Sequence, residues 1–184
     1  MAALAAPPEP LVEPSRDTAL ILRVNLPNGL ERLRRQALLP ADRGLPAHVT
    51  LLYPFVPVEA IDVALRRRID AALVPHRGFS FRLSGPGSWP GTLYVAVDSE
   101  EPFRAIQADL ALAFPEYPIF GGEFDFVPHV TVAVSAPRQL DLNGLRSDQS
   151  WVALPASRMA TGVELIVRDA SGWRVRWRLA LRAS

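Results

Sequence analysis

Two of the three histidines in this 184-residue chain stand in matching contexts. His48 opens the run HVTLLYPF and His129 opens HVTVAV, and in both a threonine follows two places later among Val, Leu and Ala. Runs of this composition read as strands with at least one buried face. Side chains two apart on a strand share a face, so His48 stands beside Thr50 and His129 beside Thr131. Val49, Leu51, Val130, Val132 and Val134 point the other way and are expected to supply core. Two imidazoles facing one space suffice for concerted general acid–base catalysis. With an ordinary pKa of about 6.5, one can be neutral while the other is protonated. The adjacent hydroxyls can hydrogen-bond phosphoryl oxygens. Two histidines without a third His, Asp or Glu at ligand spacing make a poor zinc or iron site, and no serine lies in a nucleophile-elbow context. The chemistry that fits is phosphodiester cleavage, one histidine removing a proton and the other protonating the leaving oxygen. The third histidine, His76, precedes Arg77 and Gly78 at the end of a helical stretch and reads as a solvent-exposed cap.

Composition narrows the field further. The chain has no cysteine, which excludes a disulfide framework, a Cys-based zinc site and a Cys nucleophile. A net charge of +1 leaves an anionic partner open, and every one of the 20 basic residues is arginine. Any anion contact is therefore made by guanidinium groups, which grip phosphate in bidentate fashion. No apolar run approaches the ~18 residues of a membrane-spanning helix. The segment MAALAAPPEPLVEPS lacks the features of a signal peptide and reads as a disordered tail over residues 1–16, leaving 17–184 as a single domain. A cytoplasmic monomer without cofactor or membrane partner is expected.

The elements that must position the histidines follow from periodicity. A strand over 18–25 is followed by a helical stripe through LERLRRQAL and then by the His48 strand, which Pro54 and Pro57 close. Residues 58–74 and 101–114 have the spacing of amphipathic helices. FSFRL (79–83) and TLYVAV (92–97) read as a hairpin with a long connection, GPGSWPG. Residues 137–150 are polar, with a short helix near 140–145, and two strands, 161–169 and 173–181, end the chain. Strands begin ~31 and ~45 residues after His48 and ~32 and ~44 residues after His129, the signature of an internal duplication. The expected architecture is α+β and bilobal: two antiparallel sheets related by a pseudo-two-fold, with outer helices around a central cleft. On the last strand, alternation puts Trp173, Val175, Trp177 and Leu179 on one face and Arg174, Arg176 and Arg178 on the other. Those arginines, and Arg23 on the first strand, are candidates for attracting phosphate. Trp89 and Tyr117 lie in predicted loops and are candidates for stacking on a base.

The paired runs PAHVTLLYPF and FVPHVTVAV, with PEYPIFGGEFDF before the second, resemble the two-histidine (2H) phosphoesterase superfamily. The resemblance covers roughly residues 17–182 and is nearest to the bacterial 2'-5' RNA ligase-like proteins, or RNA 2',3'-cyclic phosphodiesterases. It implies the 2H bilobal fold, His48 and His129 as catalytic residues, and Thr50 and Thr131 as phosphate-binding hydroxyls. For ring opening it implies His48 as acid and His129 as base. Residues 85–91 lack the arginine found there in many RNA-acting relatives, which leaves the substrate class open. The expected activity is metal-independent cleavage of a 2',3'-cyclic phosphate or related nucleotide phosphodiester, with a nucleotide or RNA terminus as partner. Reversible 2'-5' RNA ligation and a non-catalytic nucleotide- or RNA-binding module are the alternatives.

Overall fold

Residues 14–42 and 44–183 are described by a computed structural model. The tail expected over 1–16 falls, up to residue 13, outside the described residues; Ser15 already pairs with Phe55 as an isolated bridge. In chain order the strands are β1 (Thr18–Arg23), β2 (His48–Leu52), β3 (Phe79–Trp89), β4 (Thr92–Asp98), β5 (His129–Val134), β6 (Ala156–Ala160), β7 (Gly162–Asp169) and β8 (Gly172–Ala180). The helices are α1 (Asn28–Ala37), α2 (Val63–Leu73), α3 (Glu101–Ala113) and α4 (Leu142–Arg146). Two four-stranded antiparallel sheets result, ordered β2-β1-β7-β8 and β5-β4-β3-β6. Among the described residues no helix is long and apolar enough to cross a membrane.

Each sheet has a His strand at one edge, and the unit β1-α1-β2 returns as β4-α3-β5. The strands after each His strand do not stay in its sheet. β3 and β4, which follow His48, build the His129 sheet, and β7 and β8, which follow His129, return to the His48 sheet. The helices cross as well: α1 packs on β5, and α3 packs on β2 and α2. The two lobes are therefore interleaved, and one continuous core backs both. Leu20, Leu22, Val49 and Leu51 from one sheet meet Leu93, Val95, Val130 and Val132 from the other, under Leu65, Ile69, Phe103, Ile106 and Leu110 of α2 and α3.

Several expected elements are corrected. The long connection at 85–91 is mostly strand: β3 runs to Trp89 and turns at Pro90-Gly91. Pro86 is tolerated there because β6 pairs only with Phe79–Leu83, so the far half of β3 is open on one side and needs no donor from residue 86. The helix expected over 58–74 splits into a short 3₁₀ turn and α2, because Asp62 caps the second piece by accepting the Leu65 N–H at 2.7 Å. β6 was not expected at all. Tyr117, a candidate for base stacking, is buried edge-to-face on Phe55 and serves as a packing anchor. His76 is not a free cap either: its Nε2 lies 2.9 Å from Asp109 Oδ2, tying the end of α2 to α3.

Candidate active site

β2 and β5 lie side by side at the boundary between the sheets. The alternation that sends Val49, Leu51, Val130 and Val132 into the core sends His48, Thr50, His129 and Thr131 to the opposite side, whereas Val134, expected in the core, is exposed because the β4–β5 register shifts before it and buries Ala133 instead. All four line one cleft of about 320 Å³, with Arg34, Tyr53, Phe120 and Trp173 among its other walls. Two chemically matched strands thus present two imidazoles and two hydroxyls to one space.

Both rings are oriented by the same bond. His48 Nδ1–H donates to Pro46 O at 2.8 Å, and His129 Nδ1–H donates to Val127 O at 2.7 Å, in each case the carbonyl two residues back. A carbonyl can only accept, so Nδ1 carries the proton and Nε2 is the atom left to exchange one. His48 Nε2 lies 3.1 Å from Thr50 Oγ1, whose hydroxyl donates to the neutral ring. His129 instead is walled by aromatics: Trp89 meets it edge-on at 4.6 Å and Tyr94 at 5.3 Å. Tyr94 can lie there only because residue 87 is glycine; a Cβ on Gly87 would fall 2.3 Å from the tyrosine ring.

The electrostatics of the two rings differ. Burial is the main force pushing His48 down to about 4, and the positive charges of Arg34 and Arg23, with His129 whenever it is protonated, add to it against the opposing bond to Pro46. Burial also lowers His129, with the bond to Val127 acting the other way. Both rings are accordingly neutral at pH 7. Among the described residues no group of three or more His, Cys, Asp or Glu side chains is placed to hold a metal ion.

The other predicted contacts are placed elsewhere or otherwise. Trp89 is on β3, not in a loop, and 39% exposed against the His129 ring. Arg23 grips Glu164 through Nε at 3.1 and 3.0 Å and Nη2 at 2.9 Å, and Arg178 shares that carboxylate at 3.0 Å. Arg23 lines a neighbouring groove of about 830 Å³ and not the histidine cleft. Arg174 pairs with Asp169 at 2.7 Å at the β7–β8 turn. The expected single apolar face of β8 is also corrected. Its register with β7 shifts between Leu165 and Ile166, so that Ile166 pairs with Val175 and Leu165 with Trp177. Arg176 occupies the resulting bulge, and one extra residue resets the alternation. Trp173 and Val175 therefore pack with Ala19, Ile21 and Ile166, whereas Trp177 and Leu179 join the main core. Neither Arg174 nor Arg176 lines the cleft.

Cleft residues missed in the sequence include Arg34, Tyr53, Phe120 and Trp173. Phe120 holds a left-handed backbone at φ 49°, donates its N–H to Tyr53 O at 2.6 Å and sets its ring against Tyr53. The available signal was Gly121-Gly122 directly after it, marking a tight turn.

The family model of the 2'-5' RNA ligase superfamily matches residues 23–172. Among solved structures, TT0787 of Thermus thermophilus aligns with a TM-score of 0.59 and 18% identity, over 91% of this chain and 99% of that one. A phosphoesterase crystal structure aligns at 0.57 and 16% identity, over 91% and 99%. E. coli LigT complexed with 3'-AMP aligns at 0.56 and 18% identity, over 92% and 99%. Comparison with curated proteins gives no match. At these identities the likeness to the solved structures is one of fold.

Proposed function

The chain belongs to the 2'-5' RNA ligase superfamily, and on that footing we propose that it is a metal-independent phosphodiesterase, with His48 and His129 as a general acid–base pair acting on a 2',3'-cyclic phosphate at a nucleotide or RNA end. The observation that carries this reading is the convergence of two Nδ1-anchored imidazoles, from two strands of one duplicated motif, on a single cleft. One neutral ring removes a proton from water through Nε2 while the water oxygen forms its bond to phosphorus. The bond from phosphorus to one ribose oxygen breaks, and the other ring, protonated, delivers its Nε2 proton to that oxygen. The product is a phosphate monoester, and exchange of protons with solvent restores the pair. Thr50 and Thr131 donate to the non-bridging oxygens, where charge accumulates in the transition state.

Both rings are lowered below their ordinary value and so neutral at pH 7, and the acid acquires its proton with the anionic substrate, whose charge favours the imidazolium. The deeper depression at His48 makes it the harder ring to protonate, which favours it as base. That runs against the assignment implied by the resemblance, and the two assignments are separable by experiment. LigT, which shares the fold, is complexed with 3'-AMP in its crystal structure, and we extend nucleotide binding to the cleft of this chain. A 5'-hydroxyl in place of water would give 2'-5' ligation by the same groups, the reading that the family description favours. The test is turnover of a panel of 2',3'-cyclic nucleotides with and without excess chelator. Hydrolysis that survives chelation is expected; a folded protein that opens none of the panel, or only with added metal, would overturn the proposal.

A further inference from the structure

Arg34 lies on α1 with 2% of its surface exposed. Its ion pair with Glu31 is loose, at 3.9 Å. The guanidinium instead spends its donors on main-chain carbonyls from two parts of the site. Nη1 and Nη2 donate to Leu45 O at 3.1 and 3.2 Å, Nη2 to Pro46 O at 2.9 Å, and Nε to Thr131 O at 3.2 Å. Pro46 O is the carbonyl that also holds His48 Nδ1–H, and Thr131 belongs to the second His strand. A single planar fork thus spans the approach to one His strand and the body of the other, a reach that a compact ammonium cannot reproduce. A buried cation with so weak a carboxylate partner is costly to keep, and its desolvation pushes the Arg34 pKa down.

The other lobe sharpens the point. Arg104 on α3, the helix in the position of α1 in the repeat, donates to Phe126 O at 2.6 Å, three residues before His129. It is exposed, and Glu100 neutralises it at 2.6 Å. The duplicated unit has a guanidinium on the chain leading to each histidine, but only the one beside His48 is buried and poorly compensated.

We infer that Arg34 is a positioning residue for the two-histidine site: it fixes the His48 ring through Pro46 and locks the two His strands at their working separation. This rests on the acid–base reading proposed above. Arg34 touches no reacting atom and acts through the backbone. Its charge also bears on His48 directly, together with His129 on β5 and Arg23 on β1; Arg34 is itself faced by Glu31, Arg35 and Asp42.

The test compares Arg34→Lys and Arg34→Met with the unmodified protein by circular dichroism, by nitrogen-detected NMR titration of the histidine rings, and by kcat and KM on a 2',3'-cyclic nucleotide. In Arg34→Lys the charge stays and the fork goes: kcat is expected to fall about 10- to 100-fold with KM little changed, and the His48 ring to lose its fixed Nδ1–H signature while its titration stays low. In Arg34→Met the same positional loss is expected, with His48 now titrating at higher pH because a neighbouring cation is gone. Folded variants with unchanged kcat and unchanged His48 ring signals would overturn the inference. If Arg34→Met fails to fold, Arg34→Lys decides alone; if that also fails to fold, Arg34 is a structural residue and the inference falls. The ring signals need no substrate, so a protein that cleaves no cyclic nucleotide would refute the proposed activity while leaving the ring-positioning result readable.

Discussion

The His48 strand and the His129 strand carry the same three-residue motif, the same ring tautomer and the same carbonyl anchor two residues back, yet their surroundings have little in common. His48 sits under a buried guanidinium, bonds the hydroxyl of its own motif through Nε2, and faces Tyr53 and Trp173. His129 is boxed by Trp89 and Tyr94, and the arginine of its lobe is paired out in solvent. Unequal surroundings push the proton affinities of the two rings apart, which suits the separate acid and base roles proposed for them. Duplication supplies the geometry here, and residues outside the motif supply the difference.

The comparison breaks hardest at the histidines themselves. His48→Ala and His129→Ala should each slow cyclic phosphate opening by ~10²–10⁴-fold. A substrate with a good leaving group partly rescues the variant lacking the acid and leaves the variant lacking the base inactive. Rescue of His129→Ala alone would make His48 the base, as the electrostatics favour; rescue of His48→Ala alone would restore the assignment implied by the resemblance.

Proton affinity should also appear in stability. His48 is lowered to about 4 in the folded protein, against about 6.5 in the unfolded chain. The unfolded state therefore binds the extra proton between these values. The stability contributed by the neutral ring is fully present above pH 6.5 and is lost as pH falls through 4, up to about 3 kcal/mol. Urea unfolding at pH 7.5 and at pH 4.5 should show a steeper loss in the unmodified protein than in His48→Gln, which has nothing to titrate. Equal slopes would mean that burial and Arg34 do not hold His48 neutral.

Smaller effects sharpen the contrast. Thr50→Val and Thr131→Val remove one hydroxyl each and should cost about 10-fold in kcat at unchanged fold, the scale of a hydrogen bond to a charged group. Thr50→Val should in addition perturb the His48 Nε2 signal, because only that threonine bonds its neighbouring ring in the free protein. Trp89→Ala should be mildest: a few-fold loss in turnover, with His129 titrating higher as its desolvation is relieved and His48 unmoved. An equal response from both rings would refute the separate environments.

The parts of this arrangement legible in the sequence are those with a period. Strand alternation placed His48, Thr50, His129 and Thr131 on one side of their strands, and the helical stripes gave α3 to within one residue and the C-terminal end of α2, though not its start at Val63. Interruptions of period were not legible. The bulge at Arg176 turns half of β8 over, and the strand character of residues 85–89 is hidden by Gly and Pro that an unpaired edge tolerates. Arg34 illustrates the same limit. It stands between Arg32 and Arg35 in the helical stripe LERLRRQAL, and only the row Leu30, Arg34, Ala37, at helical spacing on the buried side, sets it apart. The interleaving of the lobes, which gives that row β5 to pack on, comes from long-range pairing that no local window contains.

In the proposed reaction His48 and His129 act together on one transition state. Single-turnover opening of a 2',3'-cyclic nucleotide by the unmodified protein, the two single alanine variants and His48→Ala/His129→Ala tests it most directly. Groups that act as a unit are far from additive, so the double variant should be little slower than the slower single one. A double variant slowed by the full product of the two effects, or single variants as fast as the unmodified protein, would contradict the claim.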